Sequence, residues 1–277
     1  MHQSAYDHST FQSGLRQSSC LWCVFMATEI SGARDRTSWA GSSSTPNPNH
    51  GELLDLMFAS ALFNGLTRQE CMEIAVSGRV RTFARDELLF RQGQPARNLI
   101  FLRSGTVKHT QISSSGSEVL LWMSGSGDTV NVMAVSELFP CSCSARAMEQ
   151  CDALVWDHTR FAVFLDRSPR LRQNISLILS GRVVELEQRF REVATEKVEQ
   201  RLALVLLRLS RQIGKVSHEG SAVFLTREEL GQMTGSTLFT ISRIISQWAT
   251  DGVLVARRES VLVNNRELLE AIGNQYQ

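Results

Sequence analysis

The stretch from Leu225 to Trp248 decides the fold, and it reads LTREELGQMTGSTLFTISRIISQW. Thr226 and Glu229 have the Thr-x-x-Glu spacing of a capping box, which starts an α-helix. Gly235 suits the left-handed conformation that ends such a helix. Ser236 or Thr237 can cap a second helix, and its apolar positions recur at helical spacing, namely Ile241, Ile244, Ile245 and Trp248. The stretch therefore predicts two amphipathic helices joined by a tight turn.

The opposite face of the second predicted helix is polar. It carries Thr240, Ser242, Arg243, Ser246 and Gln247. Side chains of these types reach phosphates and base edges, so the pattern predicts a helix-turn-helix whose second helix enters the major groove. The residues that we expect to contact DNA, including two from the segment that follows, are Thr226, Ser236, Thr237, Leu238, Thr240, Ser242, Arg243, Gln247, Arg257 and Arg258.

The segment after this stretch predicts a wing. Asp251-Gly252 ends the helix, and the β-branched runs 253–255 and 261–263 are joined through Arg257-Arg258-Glu259-Ser260. A two-stranded hairpin with arginines at its tip, placed after a recognition helix, is typical of a winged helix. An ordinary helical hairpin followed by a β-hairpin is the alternative.

Composition sets limits on the function. A chain of 277 residues is long enough for two domains. The net charge is +1, and residues 195–277 hold ten Lys/Arg against nine Asp/Glu, which argues mildly against strong nonspecific DNA binding. No apolar run reaches the ~18 residues that span a bilayer. We therefore expect a cytoplasmic protein without membrane contact, whose six cysteines are thiols.

Upstream, the pattern divides into a tail, a helical stretch and a β-domain. Residues 1–50 are rich in Ser, Thr, Gln, Asn and Gly, and we expect a disordered tail. Helical spacing follows from Glu52 to Val76, with Thr67 and Glu70 as a capping box. From Val80 onward, short apolar strands predict an antiparallel roll of about 85 residues. They are punctuated by glycines 11 or 12 residues apart, namely Gly93, Gly105, Gly116 and Gly127.

A long helix should link the two domains. Ser168-Pro169 is a helix start, and the helix is expected to run over residues 169–194. Its apolar residues are spaced alternately by four and three, which is typical of a seam for a partner helix; they are Leu179, Val183, Leu186, Phe190 and Val193. We therefore predict a homodimer, with packing against the chain's own β-domain as the alternative.

The predicted fold class is α+β: a jelly-roll-like antiparallel β-roll, a long dimerisation helix and a C-terminal winged helix-turn-helix. The expected divisions are 1–50 for the tail, 51–167 for the roll, 168–196 for the dimerisation helix and 197–277 for the DNA-binding domain. This order resembles the CRP/FNR family of bacterial transcription regulators over residues 52–264. The resemblance rests on Arg91-Gln92-Gly93, Leu102 to Val107, Gly127-Asp128 and Thr226 to Arg243.

The resemblance implies a homodimer whose roll senses a small molecule, whose recognition helices read a palindromic site, and whose further partner is RNA polymerase. Members that bind cyclic nucleotides carry Phe-Gly-Glu-Leu after Gly-Asp, and then Arg-Ser/Thr-Ala. Here Val132 stands at the Glu position, and the Arg position falls near Cys141-Ser142-Cys143, with Arg146 the nearest cation. Since burying a phosphate without a paired cation is costly, cyclic AMP is not the expected ligand. The ligand is unassigned, and a roll that binds nothing is the alternative.

Two further departures concern cysteines and the recognition helix. Iron–sulfur members use an N-terminal cysteine group plus one cysteine in the roll; Cys20 and Cys23 match half of it, so a cluster is not expected. A redox pair at Cys141 and Cys143 is disfavoured because alternate residues of a strand point to opposite faces. Leu238 and Phe239 replace the Arg and Glu of members that read guanine, so the DNA site should differ, and Leu238 could touch a thymine methyl.

The predicted function is a sequence-specific, homodimeric DNA-binding transcription regulator. A ligand-binding or scaffold module whose winged helix makes protein contacts is the alternative from another class. An enzyme is not expected, because no paired carboxylates, Ser/His/Asp set, histidine-rich metal group or phosphate-binding glycine loop stands out in the sequence.

Overall fold

The computed structural model describes residues 50–135, 139–217 and 220–274. The predicted tail and the Cys20–Cys23 pair lie outside these ranges. Two helices open the described chain, α1 (His50–Ala59) and α2 (Arg68–Ser77). The capping box predicted for α2 is confirmed, since the Thr67 side chain accepts from the amide of Glu70 and the Glu70 carboxylate accepts from the amide of Thr67.

The β-domain is an antiparallel roll, as predicted, and it consists of two four-stranded sheets. Its strands within the described residues are β1 (Arg79–Phe83), β2 (Leu88–Phe90), β3 (Asn98–Ser104), β4 (Val107–Ile112), β5 (Glu118–Ser124), β6 (Thr129–Val130), β7 (Ser144–Ala147) and β8 (Cys151–Asp157). The sheet orders are β1-β8-β3-β6 and β2-β7-β4-β5. The four predicted turn glycines all have positive φ, between 81° and 87°. A 3-10 turn, Val132–Val135, follows β6.

The long helix is α4 (Pro169–Thr195), preceded by α3 (His158–Arg167). Ser168 caps α4 by accepting from the amide of Leu171 at 3.3 Å, and Pro169 occupies its first turn, as predicted. Near its start, Leu171 and Ile175 pack into a core shared with α1, α2 and the roll. Further along, its apolar side chains emerge from that core.

The C-terminal unit is a winged helix. It comprises α5 (Val198–Gln212), β9 (Lys215–Ser217), β10 (Gly220–Val223), α6 (Arg227–Thr234), α7 (Leu238–Thr250), β11 (Leu254–Ala256), β12 (Val261–Val263) and α8 (Arg266–Gly273). The predicted hairpin β11–β12 belongs to a larger sheet of order β11-β12-β10-β9. Strands β9 and β10 and helix α8 were not predicted from the sequence. Among the described helices, none is both long and apolar enough to cross a membrane.

Apolar and charged contacts join the winged helix to the rest of the molecule. Leu120 and Met123 of β5 are buried in the same apolar core as the winged-helix residues. At the junction of α4 and α5, Glu192 is 2% exposed and binds the guanidinium of Arg208 through two bonds of 2.7 and 2.9 Å. The orientation of the winged helix is therefore held by both apolar and charged contacts.

Candidate DNA interface and sensor cavity

The helix-turn-helix forms as its local sequence dictates. Thr226 Oγ1 accepts from the amide of Glu229 at 3.2 Å, and the Glu229 carboxylate accepts from the amide of Thr226 at 3.0 Å. Gly235 ends α6 with φ of 62°. Of the two predicted caps for the second helix, Thr237 is the one used, accepting from the amide of Thr240 at 3.2 Å. The cap at Thr237 therefore fixes the first turn of α7 directly after the turn between the two helices.

The predicted inner face of α7 is confirmed, because Ile241, Ile244, Ile245 and Trp248 are all at most 6% exposed. Arg243 lies on the outer face and is exposed. Within the described residues it makes no ion pair, and Glu229, which could have paired with it, is bonded to Lys108 at 2.8 Å. The Arg243 guanidinium is therefore available to a ligand in solution.

The other candidates on α7 differ in how freely they can contact DNA. Thr237 and Thr240 share a hydroxyl contact of 3.0 Å. Gln247 donates to both carboxylate oxygens of Asp251, at 3.0 and 3.1 Å, so its amide must leave Asp251 to reach a base. Ser236 and Ser242 are half-buried, whereas Leu238 is 45% exposed.

The wing lies beside the start of α6. Its turn is closed by the Arg257 amide, which donates to the Ser260 carbonyl at 3.0 Å. Arg227 reaches across from α6 and donates to the carbonyl of Arg257 at 3.1 Å. The side chains of Arg257 and Arg258 are exposed. Charged groups of the wing therefore lie beside the start of the helix-turn-helix.

A cavity of about 250 Å³ lies between the roll and α4. Its walls are mostly apolar, with Trp122 and His109 on one side and Ile178, Val183 and Leu186 of α4 on the other. The Thr129 hydroxyl at its wall is buried and has no hydrogen-bond partner among the described residues. Since a buried polar atom without a partner is costly, this hydroxyl is a group that a ligand could satisfy.

An aromatic stack forms one wall of this cavity. His109 stacks on Trp122 with 4.6 Å between ring centroids, and the Arg182 guanidinium lies 5.0 Å from the Trp122 ring. His109 Nε2 is 3.1 Å from Ser124 Oγ. Complete burial, together with the positive charge of Arg182, lowers the pKa of His109 to about 3. His109 is therefore a neutral ring at physiological pH.

The cations at the cavity come from α4, and the sequence reasoning missed them. Arg146, the expected nearest cation, donates to the carbonyl of Asp86 instead of lining the cavity. Arg182 and Arg189 line it, and both bind the same carboxylate, that of Glu185, at 3.3 and 2.7 Å. Helical spacing indicates that these three residues share a face, but it does not show that the face meets the roll.

The cysteines of the roll are not arranged as predicted. Cys141 and Cys143 precede β7, so the prediction that they lie on a strand was wrong, and both are buried. Burial raises the pKa of the Cys143 thiol to about 11. Its sulfur lies 3.9 Å from His109 Nδ1, close to the cavity. Within the described ranges, no three His, Cys, Asp or Glu side chains are arranged to hold a metal ion.

The predicted dimer seam is partly exposed. Val183, Leu186, Phe190 and Val193 are between 48% and 78% exposed. Leu179 differs, since it packs against the core under the roll and lines the cavity. Val183 and Leu186 contribute to both surfaces, so the cavity and the exposed apolar stripe are adjacent.

This geometry defines a class of protein: a β-roll joined by a long helix to a winged helix. Residues 80–168 match the family model of the cyclic nucleotide-binding domain, and residues 200–272 match that of the Crp-like helix-turn-helix domain. The chain is 25% identical over 199 residues to the fumarate nitrate reduction regulatory protein of Klebsiella oxytoca, covering 71% of this chain and 79% of that protein. It is 27% identical over 218 residues to the cyclic AMP receptor protein of Thermus thermophilus, covering 78% and 98%.

Solved structures share the fold. The c-di-GMP-responsive global regulator CLP of Xanthomonas campestris superposes with a TM-score of 0.63 at 23% identity, covering 72% of this chain and all of that one. FixK2 of Bradyrhizobium japonicum gives 0.64 at 19% identity, covering 72% and 99%. The chain belongs to the CRP/FNR family of transcription regulators, and it is a DNA-binding regulator.

Proposed function

We propose that this chain is a homodimeric, cytoplasmic regulator that reads a palindromic DNA site, acts on RNA polymerase, and responds through its roll to a signal other than cyclic AMP. It acts by binding, without catalysis. The observation that carries the DNA-reading role is the outer face of α7, where the exposed Arg243 has no ion-pair partner among the described residues. A bidentate Arg–guanine contact is the commonest specific contact in the major groove.

The exposed stripe on α4 supports the homodimer. Phe190 is 78% exposed and Val193 is 52% exposed on a helix of 27 residues. Such a row of apolar side chains is stabilised when it packs against a second copy of itself, because both copies remove apolar area from water. A two-fold dimer also places two recognition helices on half-sites about 34 Å apart, which is one turn of DNA.

The exclusion of cyclic AMP rests on the cavity. Val132, at the position where cyclic-nucleotide-binding members hold the ribose with a carboxylate, is 8% exposed and packs in the core. Arg182 and Arg189 are both bonded to Glu185, so a phosphate would have to compete with that carboxylate. A cavity of about 250 Å³ is also slightly smaller than the ~300–1,000 Å³ usual for small-molecule sites. A small, mostly apolar ligand fits these walls better than a nucleotide.

Selection of genomic DNA fragments by the purified protein tests the proposal. The expected result is enrichment of one palindromic motif whose half-sites are about ten base pairs apart. The second candidate function is a winged helix that binds protein, which the 83% exposed Phe239 and the nearly balanced charge favour. Failure to enrich any sequence, with a folded and dimeric protein, would support that second function.

A further inference from the structure

Phe239 is the most exposed large apolar side chain among the described residues, at 83%. It is the second residue of α7, two positions after the Thr237 cap. The bond from the Thr240 amide to Thr237 Oγ1 fixes the start of the helix around it. Its exposure is therefore a property of a rigid helix turn, and the sequence reasoning did not include it among the DNA contacts.

Helix geometry points Phe239 and Arg243 in the same direction. Each lies two residues from the buried Ile241, one before it and one after it, so each is turned about 200° away from the core. The two residues are four apart and hence neighbours on the helix surface. Leu238 lies three residues before Ile241, only about 60° from the buried direction. Phe239, and not Leu238, therefore occupies the middle of the outer face.

We infer that Phe239 reads the 5-methyl group of a thymine in the major groove, one helical turn from the base that Arg243 contacts. The inference rests on the proposed DNA-reading function. A phenyl ring has no hydrogen-bond donor or acceptor, so it cannot pair with the polar edges of guanine, adenine or cytosine. The thymine methyl is the one apolar group that base edges present in the major groove, and an apolar contact to it is a known mode of readout.

The surroundings of Phe239 favour DNA over a protein partner. The next side chains on the outer face are those of Arg243, one turn along the helix, and Ser246, two turns along, and both are exposed and polar. An apolar protein partner would have to bury this arginine as well, which is costly without a matching acid. DNA accepts both side chains at once, because phosphates and guanine edges lie beside thymine methyls.

Uracil replacement tests the inference, because uracil differs from thymine only by the missing methyl. Each thymine of one half-site in the selected motif is replaced in turn, and dissociation constants are measured for the wild type and for Phe239→Ala. We expect one replacement to weaken wild-type binding about three- to tenfold, as loss of one buried methyl contact predicts. The same replacement should have no effect on Phe239→Ala.

Phe139→Ala is the matched control, because it removes a 56% exposed ring from the roll, and it should keep the full uracil effect at that position. Phe239→Ala should melt at the wild-type temperature, because an exposed ring supports little packing. A uracil effect that persists in Phe239→Ala, or the absence of any sensitive thymine, overturns the inference while leaving the DNA-reading function standing. Failure of the wild type to enrich any sequence overturns both.

Discussion

Lys108 of β4 and Glu229 of α6 form an ion pair, with 2.8 Å between Nζ and Oε1, that joins the roll to the helix-turn-helix. The two side chains are only 21% and 13% exposed. Glu229 is also the carboxylate of the α6 capping box. Burial would raise its pKa, but the hydrogen bonds from Lys108 and from Thr226 outweigh this and lower it. One side chain therefore serves both the start of α6 and its attachment to the roll.

Replacement of the lysine should loosen this attachment. We expect Lys108→Met to lower the free energy of unfolding by about 1.5–3 kcal/mol, since a partly buried, hydrogen-bonded pair exceeds the ~0–1 kcal/mol of surface pairs. A double-mutant cycle with Glu229→Gln, followed by denaturant unfolding, measures the coupling. Lys215→Met removes the more exposed partner of Glu149 and should change stability less. Equal losses of unfolding free energy for Lys108→Met and Lys215→Met would contradict a special stabilising role for the Lys108–Glu229 pair.

The same pair predicts a pH dependence. Because the folded pKa of Glu229 is below the unfolded value of ~4.3, its contribution is present above that value and is lost as the pH falls through the folded pKa. The stability difference between wild type and Lys108→Met should therefore be constant near neutrality and shrink below about pH 4. Unfolding curves from pH 3 to pH 7 check this, and a difference that grows in acid would show that Glu229 is not the group involved.

Charge on the exposed stripe of α4 should separate the dimer. Leu186→Asp with Phe190→Asp would place carboxylates against an apolar partner surface, at several kcal/mol, so we expect monomers. Analytical ultracentrifugation measures the change. Val184→Asp is the control, because Val184 is 61% exposed on another side of the same helix, about 160° from Leu186. An unchanged sedimentation profile for the double variant would disprove the seam.

Cyclic AMP should not bind. Val132 offers no acceptor for a ribose hydroxyl, and the arginines of the cavity are held by Glu185. Titration calorimetry is expected to show only heats of dilution with protein that still binds its selected DNA. Saturable heat at micromolar cyclic AMP would mean that Arg182 or Arg189 leaves Glu185 for the phosphate, and the alanine variant of the arginine that moves would then abolish the heat.

Arg243→Ala should reduce specific DNA binding about 10- to 100-fold, since one bidentate guanine contact is worth about 1–3 kcal/mol of discrimination. Binding to scrambled DNA should stay closer to the wild-type value, and the fold should be unaffected because Arg243 is exposed. Arg85→Ala removes the same charge from the roll and controls for long-range electrostatics. Equal losses of affinity for specific and scrambled DNA would show that Arg243 contacts a phosphate. No loss on either DNA would show that Arg243 does not contact DNA.

The elements that the sequence predicted correctly depend on residues close together in the chain. Both capping boxes need only a Thr and a Glu three residues apart, and the buried face of α7 needs only helical spacing. Strands of two to four residues, such as β6 and β9, are too short to show a period, and tertiary pairing decides them. Contacts between distant residues were likewise missed: Lys108 and Glu229 are 121 positions apart.

For the candidate site, too, local spacing could be predicted from the sequence, whereas exposure and packing could not. Arg243 could be placed on the outer face from its distance to Ile241 alone. The same spacing places Phe239 on the outer face, but it does not show that the ring is left uncovered, which only its 83% exposure shows. Arg182 could not be assigned to the cavity, since its position depends on how α4 packs against Trp122.

The bond between Glu192 and Arg208 has an evolutionary consequence. Loss of either partner leaves a charge buried at the α4–α5 junction, which typically costs about 3–5 kcal/mol, whereas replacing both by apolar residues of similar size is often neutral. Single changes at these positions would be removed by selection before a second could compensate. Related chains should therefore either keep both residues or replace both, and a chain with only one of them should hold its winged helix at a different angle.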